Sequence, residues 1–193
     1  CLFFFSSCTG SKKMVNKARK LEEAGLTKDA ADFYYEGLVR NPNNTDAIIG
    51  LKKTGQAVLD EKLQKFYKAN SMDGHKEAVY AYLDATKYKG KLEKVKVELD
   101  FPAYYEGYFE KSKDVYLHER YTEGTDLIDE GKYEKAEKIF DEILVIDQNY
   151  KDASELESVA YVEPFYRRGI AFMDNDKFRL AYGQFDAVVK KKT

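Results

Sequence analysis

From Val15 onward, apolar residues recur at intervals of three and four along most of the chain, as on one face of an α-helix. Residues 132–146 show the pattern well, with an apolar stripe on one side and Lys, Glu and Asp on the other. Ala, Leu, Glu and Lys, which all favour helix, dominate these segments. The pattern therefore predicts an all-α fold.

Two places interrupt the helical pattern. Residues 95–101 alternate apolar and polar side chains, a period of two that indicates an extended segment, and Pro102 can open the helix that follows. We expect 89–101 to be a linker or a lone edge strand. Pro164 lacks a backbone N–H group, so it is expected to split the helical region 151–173 into two helices.

A short pattern recurs four times along the chain. An alanine is followed four residues later by an aromatic residue, and another small or apolar residue stands twelve positions before the alanine. The copies at 130–143 and 175–188 are the clearest, and those around Ala30 and Ala78 are weaker. The residues predicted to pack within these units are Ala18, Ala30, Tyr34, Ala78, Tyr82, Gly124, Ala136, Phe140, Gly169, Ala181 and Phe185.

The pattern resembles the tetratricopeptide repeat (TPR), a helix-turn-helix unit in which small residues let two helices cross closely. The resemblance implies a solenoid of helical hairpins forming a right-handed superhelix, with repeats in 15–88 and in 102–193. Residues 41–44, Asn-Pro-Asn-Asn, are similar to the usual end of a repeat. The four alanines lie 48, 58 and 45 residues apart, whereas this family repeats about every 34 residues. We therefore expect longer helices or connections here.

The TPR resemblance also implies a protein or peptide partner, bound by the first helix of each repeat. The candidate groove residues are Leu63, Tyr67, His118, Tyr121, Tyr166 and Met173. The alternative is that these side chains pack against the long neighbouring helices. The aromatic run at 104–109 raises the same question, since it indicates core packing if buried and a protein-binding face if exposed.

The first residues differ from the rest of the chain. The sequence Phe-Ser-Ser-Cys at 5–8 resembles a bacterial lipobox, although Phe5 stands where Leu is usual. The resemblance implies that 1–14 holds the remnant of a signal peptide and a tether lipidated on Cys8. It further implies an outer-membrane lipoprotein that faces the periplasm. The alternatives are an ordinary apolar N-terminus and a cytoplasmic protein.

Composition narrows the range of functions. The 32 Lys and Arg against 34 Asp and Glu give a net charge of −2, which argues against a nucleic-acid partner. The two Cys lie within the first eight residues and there are only two His, so we expect no metal, no cofactor and no catalytic residue. The lysines at 87, 89, 91, 94 and 96 are interpreted as a solvated segment. Their alternative partners are anionic lipid headgroups or an acidic protein.

The sequence thus predicts a non-enzymatic scaffold or adaptor, tethered to the membrane and assisting assembly or secretion at the bacterial outer membrane. One alternative is an N-terminal regulatory or binding module of a longer protein whose activity lies beyond Thr193. Another is an enzyme with unrecognised carboxylate chemistry. The sequence leaves the partner and the oligomeric state open.

Overall fold

The computed structural model describes the backbone from Ser6 to Lys191 and the side chains from Gly10 to Lys190. Within those bounds the regular structure is α-helix and no strand occurs, which confirms the all-α prediction. The helices are α1 (Ser6–Glu23), α2 (Thr27–Arg40), α3 (Thr45–Ser71), α4 (His75–Glu93), α5 (Tyr104–Asp129), α6 (Tyr133–Ile146), α7 (Ala153–Met173) and α8 (Phe178–Lys191).

The chain divides into two compact units, Cys1–Lys113 and Asp114–Thr193. The first unit holds α1 to α4 and the start of α5, and the second holds the rest of α5 with α6 to α8. In the first unit each helix from α1 to α4 packs against the next, and α1 also reaches α3. In the second unit α7 packs between α6 and α8.

The turns within the four helix pairs α1–α2, α3–α4, α5–α6 and α7–α8 share one geometry. Each has a residue with positive φ: Gly25 at 76°, Asp73 at 54°, Gly131 at 73° and Asp176 at 55°. The N–H group of that residue donates to the carbonyl three positions earlier, and the next N–H group donates to the carbonyl five positions earlier. This pair of hydrogen bonds satisfies two carbonyl groups at the end of the first helix. Gly adopts positive φ without strain, and Asp tolerates it better than most residues.

An alanine follows each of these turns at the same distance. Ala30, Ala78, Ala136 and Ala181 each stand five residues after the positive-φ residue and donate their N–H group to the carbonyl four positions earlier. The first three are fully buried and Ala181 is 2% exposed. A buried alanine therefore stands at the same distance from the turn in all four pairs.

The connections after α2 and α6 are also alike. Asn41 and Asp147 both have extended backbone, with φ of −145° and −144°. Each accepts a hydrogen bond on its side chain from the N–H group two residues later, at 3.2 and 3.0 Å. Asn44 then caps α3, because its side chain accepts from the N–H group of Ala47 at 3.1 Å.

The predicted 89–101 linker differs from the structure in its first half. Residues 89–93 form the last turn of α4, and the rest is non-helical without being a strand, so the edge-strand alternative is wrong. The predicted alternation is present, since Val97 and Leu99 are buried in the core of the first unit while Lys96 and Glu98 are exposed. The segment lacks a neighbouring strand to pair with and is held by its apolar side chains.

The prediction that Pro164 splits two helices is wrong. Pro164 lies inside α7, which runs without a break from Ala153 to Met173. Proline removes one backbone hydrogen bond from a helix interior, but buried contacts can offset that loss. Ala160 before it and Gly169 after it are both buried, so α7 is packed on either side of the proline.

Candidate functional site

Two helix pairs of the second unit share a close contact between a glycine and an aromatic ring. A β-carbon on Gly124 of α5 would lie 2.7 Å from Cζ of Phe140 in α6. A β-carbon on Gly169 of α7 would lie 2.5 Å from Cε1 of Phe185 in α8. Real side chains do not approach so closely, so a larger residue at either position would force the ring to shift. The ring that fills each space stands four residues after the predicted alanine.

The first unit places its aromatic residues differently. The ring of Tyr34 in α2 lies against Gly50 at the start of α3. Tyr82 in α4 stacks on Phe109 at 4.1 Å between centroids and meets Phe66 edge-on at 5.2 Å. Phe66, which stands where the other copies have a small residue, is fully buried. In α5 and α7 a glycine leaves space for a single ring, that of Phe140 or Phe185. At the corresponding place in the α3–α4 pair, two rings pack against each other instead, those of Phe66 and Tyr82.

Tyr121, a candidate groove residue, is held by several neighbours within the second unit. Its ring lies 6.1 Å from that of Phe140 and 6.0 Å from that of Tyr150, both edge-on. Its hydroxyl donates to Oδ1 of Asp152 at 2.5 Å, and this bond raises the pKa of Tyr121. The ammonium of Lys151 lies 4.2 Å from the ring centroid. Tyr121 therefore acts as a packing residue with one partly exposed side.

The other candidates of the second unit are exposed. Tyr166 and Met173 in α7 are 50% and 45% exposed, and His118 in α5 is exposed as well. The Tyr166 ring lies 6.2 Å from that of Phe185, so it stands beside the Gly169 contact. Residues 166 and 173 are seven apart, which places them on one face of α7.

The two candidates of the first unit have different surroundings. Leu63 is 3% exposed and belongs to the core, whereas Tyr67 is 51% exposed. Tyr67 lies 6.2 Å edge-on from Tyr108 of α5, whose ring is 6.5 Å from that of Tyr104. Tyr104 and Tyr108 are 60% and 43% exposed. The three rings form an exposed tyrosine patch, which is defined by Tyr67, Tyr104 and Tyr108.

The aromatic run at 104–109 therefore has two sides. Tyr105 packs against the core of the first unit and Phe109 is 8% exposed, while Tyr104 and Tyr108 face solvent. A spacing of four separates the members of each pair, so one pair lies inward and the other outward on the same helix. Core packing and an exposed face are thus both present in the run.

A polar network that sequence periodicity does not indicate joins α1, α2 and α3. The hydroxyl of Tyr34 donates to Oε2 of Glu22 at 2.9 Å, and Nζ of Lys53 lies 2.9 Å from Oε1 of Glu22. The Lys53 contact holds the pKa of the Glu22 carboxyl below its usual value. Burial and the Glu22 bond raise the pKa of Tyr34 to about 12. Its members come from three helices, so no single helical pattern contains them.

The proposed lipidation site lies at the start of α1. The backbone of Cys8 is helical, but its side chain lies outside the described residues. Ser11, three residues later, is buried and donates from Oγ to the carbonyl of Gly37 at 2.8 Å. The Ser11 hydroxyl also accepts from Asn44 at 2.9 Å. The sequence predicts a tether over residues 1–14. In the structure, residues 10–14 of that segment belong to α1, which packs on α2.

Among the described residues, no helix is both long and apolar enough to cross a bilayer. The same residues contain no group of three or more His, Cys, Asp or Glu side chains placed to hold a metal ion. Comparison with protein-family models, with curated proteins and with solved structures finds no match to the chain.

Proposed function

We propose that the chain is a TPR-like scaffold, without catalytic activity, that holds a protein partner on the exposed faces of its repeated helix pairs. The observation that carries this proposal is the fourfold turn at Gly25, Asp73, Gly131 and Asp176 with a buried alanine five residues later. Repeated helix pairs present many equivalent side chains along a surface, and such surfaces bind extended peptides or helices. Their exposed aromatic side chains supply the contact area.

The partner surface on the second unit centres on Tyr166 and Met173 of α7. Tyrosine offers a large contact area with few rotatable bonds and a polar tip, and methionine adapts to irregular apolar surfaces. Both side chains are about half exposed, so their removal costs the fold little buried area.

The test is capture of the partner by photo-crosslinking in the native cell, followed by mass spectrometry. Tyr166→Ala combined with Met173→Ala should leave the melting temperature close to that of the wild type and abolish the crosslinked product. Tyr182→Ala is the matched control, since Tyr182 is a 72% exposed tyrosine on α8. Equal capture by the wild type and the double variant would refute this surface.

We also propose that the scaffold is anchored by a lipid on Cys8 and works at the bacterial outer membrane, facing the periplasm, in assembly or secretion. The support is the lipobox-like sequence at 5–8. Two or more acyl chains bind a bilayer stably, because each buried methylene contributes about 0.8 kcal/mol. In cells that express the full precursor, Cys8→Ser should move the protein from the membrane fraction to the soluble fraction. An unchanged membrane-bound pool would contradict the anchor.

A further inference from the structure

An open cleft beside the C-terminal half of α4 is lined mainly by lysines. It has a volume of about 520 Å³ and lies wholly in the first unit, between α3 and α4. Its lining residues are Lys62, Asp84, Lys87, Tyr88, Gly90, Lys91 and Lys94. We call it the lysine cleft.

Two of its four ammonium groups are paired with carboxylates. Lys62 forms an ion pair with Asp84 across the cleft. Lys91 lies 2.9 Å from Asp32 of α2, and its ammonium also stands 4.6 Å from the centroid of the Tyr35 ring. These two lysines are held in place by their partners on neighbouring helices.

The other two ammonium groups, those of Lys87 and Lys94, have no carboxylate partner among the described residues, and both are exposed. Lys87, Lys91 and Lys94 follow one another at intervals of four and three, so they share one face of the chain at the end of α4. Like charges at this spacing repel each other. The helix C-terminus favours cations over its last turn, so it partly offsets the charges of Lys91 and of Lys94, the C-cap residue, but it does not extend to Lys87. The lysine cleft therefore keeps uncompensated positive charge.

The helix wall of the cleft carries a glycine that packing does not require. Gly90 lies inside α4, where glycine is less favourable than alanine, yet a β-carbon there would meet nothing within 4 Å. The missing side chain leaves room beside the ammonium groups. Tyr88 adds an aromatic wall, with the ammonium of Lys62 at 5.6 Å from its ring centroid. Gly107 in α5 and Gly183 in α8 are equally open at the β-carbon position, so Gly90 gives the cleft room without marking a binding site by itself.

We propose that the lysine cleft binds a phosphate group, carried by a small phosphorylated molecule or by a lipid headgroup. Lysine ammonium groups are compact point charges that suit phosphate, and the lining contains no arginine fork of the kind that grips carboxylates in two places. The carbonyls at the end of α4 repel an anion, so the side chains must hold it. The volume accommodates a phosphate together with a small organic group.

The test uses the purified full chain at low ionic strength with two probes, inorganic pyrophosphate and vesicles containing phosphatidylglycerol. Pyrophosphate should shift the amide resonances of residues 87–94, including the Gly90 amide, and added sodium chloride should weaken the effect. Lys87→Gln combined with Lys94→Gln should weaken binding about tenfold, because the two ammonium groups without a carboxylate partner are removed. The matched control is Lys20→Gln combined with Lys52→Gln, two exposed lysines of the first unit.

Each outcome bears on the proposal. Pyrophosphate binding that the cleft variant loses and the control keeps supports a soluble phosphorylated ligand. Vesicle binding with the same dependence on the variants, and no response to pyrophosphate, supports a lipid headgroup. Absence of binding to both probes overturns the proposal. So does equal weakening in the two double variants, because binding then reflects overall charge.

Discussion

The phenol ring of Tyr34 in α2 lies directly against Gly50 in α3. A β-carbon at position 50 would stand 2.6 Å from Cε2 of Tyr34 and nearer still to Cζ. Tyr34 is 3% exposed and its hydroxyl is bonded to Glu22, so the ring has little freedom to move away. The contact lies between α2 of the first helix pair and α3 of the second, where a larger side chain at position 50 would meet the ring.

Gly50→Ala should therefore destabilise the fold. Overpacking a rigid contact of this kind costs about 1–3 kcal/mol. The measurement is the free energy of unfolding from denaturant titration. Gly107→Ala is the control, because a β-carbon at Gly107 meets nothing within 4 Å and should stabilise α5 by about 0.5–1 kcal/mol. If both alanines stabilised the protein, the Tyr34–Gly50 contact would be refuted.

The contact between Gly124 and Phe140 can be tested with a double-mutant cycle. Gly124→Ala alone should destabilise the protein, since the new methyl group meets the Phe140 ring at 2.7 Å. Phe140→Leu removes the ring edge, so Gly124→Ala should cost less in that background. A coupling free energy of about 0.5–3 kcal/mol is expected for residues in contact. Additive effects in the cycle would contradict direct contact.

Ala136 opens α6 and is fully buried, so it has no room for a larger side chain. Ala136→Leu should destabilise the protein by about 1–3 kcal/mol. Lys135→Leu, one residue earlier on the exposed side of α6, should be nearly neutral. Thermal unfolding of both variants measures the difference. Equal melting temperatures for the wild type and Ala136→Leu would argue against close helix packing at the turn.

Acid should weaken the first unit through Glu22. The ion pair with Lys53 and the bond from Tyr34 hold the pKa of this carboxyl below its reference value of 4.5. A lowered pKa contributes stability above 4.5, and that contribution is lost as the pH falls through the lower folded-state pKa. Glu22→Gln should flatten this part of the stability profile between pH 7 and acid. Unfolding free energies at a series of pH values provide the measurement, and parallel profiles would exclude the contribution.

The helices and the extended segment could be predicted from the sequence, because both patterns depend on residues that are close together along the chain. A helical period follows from which side chains share a face, so the all-α fold could be predicted. The period-two segment that contains Val97 and Leu99 could also be predicted, and both are buried as the alternation requires. Its helical start at 89–93 could not, because the end of α4 depends on what packs against it.

The second and fourth turns, at Asp73 and Asp176, could not be predicted from the residue type at the turn. Glycine at positions 25 and 131 predicts a positive φ, because glycine adopts it without strain. Asp73 and Asp176 have the same geometry, although aspartate only tolerates a positive φ. The weak second copy, with Phe66 in place of a small residue, has the same turn and the same buried alanine as the others. The residue type at the turn therefore does not by itself determine this geometry.

The candidate partner surface also depends partly on the sequence pattern and partly on the tertiary structure. Sequence alone determined that small residues and rings recur at fixed intervals, that the chain is helical and that charge is nearly balanced. Only the tertiary structure decided that Leu63 lies in the core, that Tyr121 is bound to Asp152, and that Tyr166 and Met173 stay exposed. The physical reason is that a helical period places side chains on a face of their own helix. Which faces are covered depends on the crossing of helices, which is set by contacts between residues far apart in the chain, such as Tyr34 and Gly50.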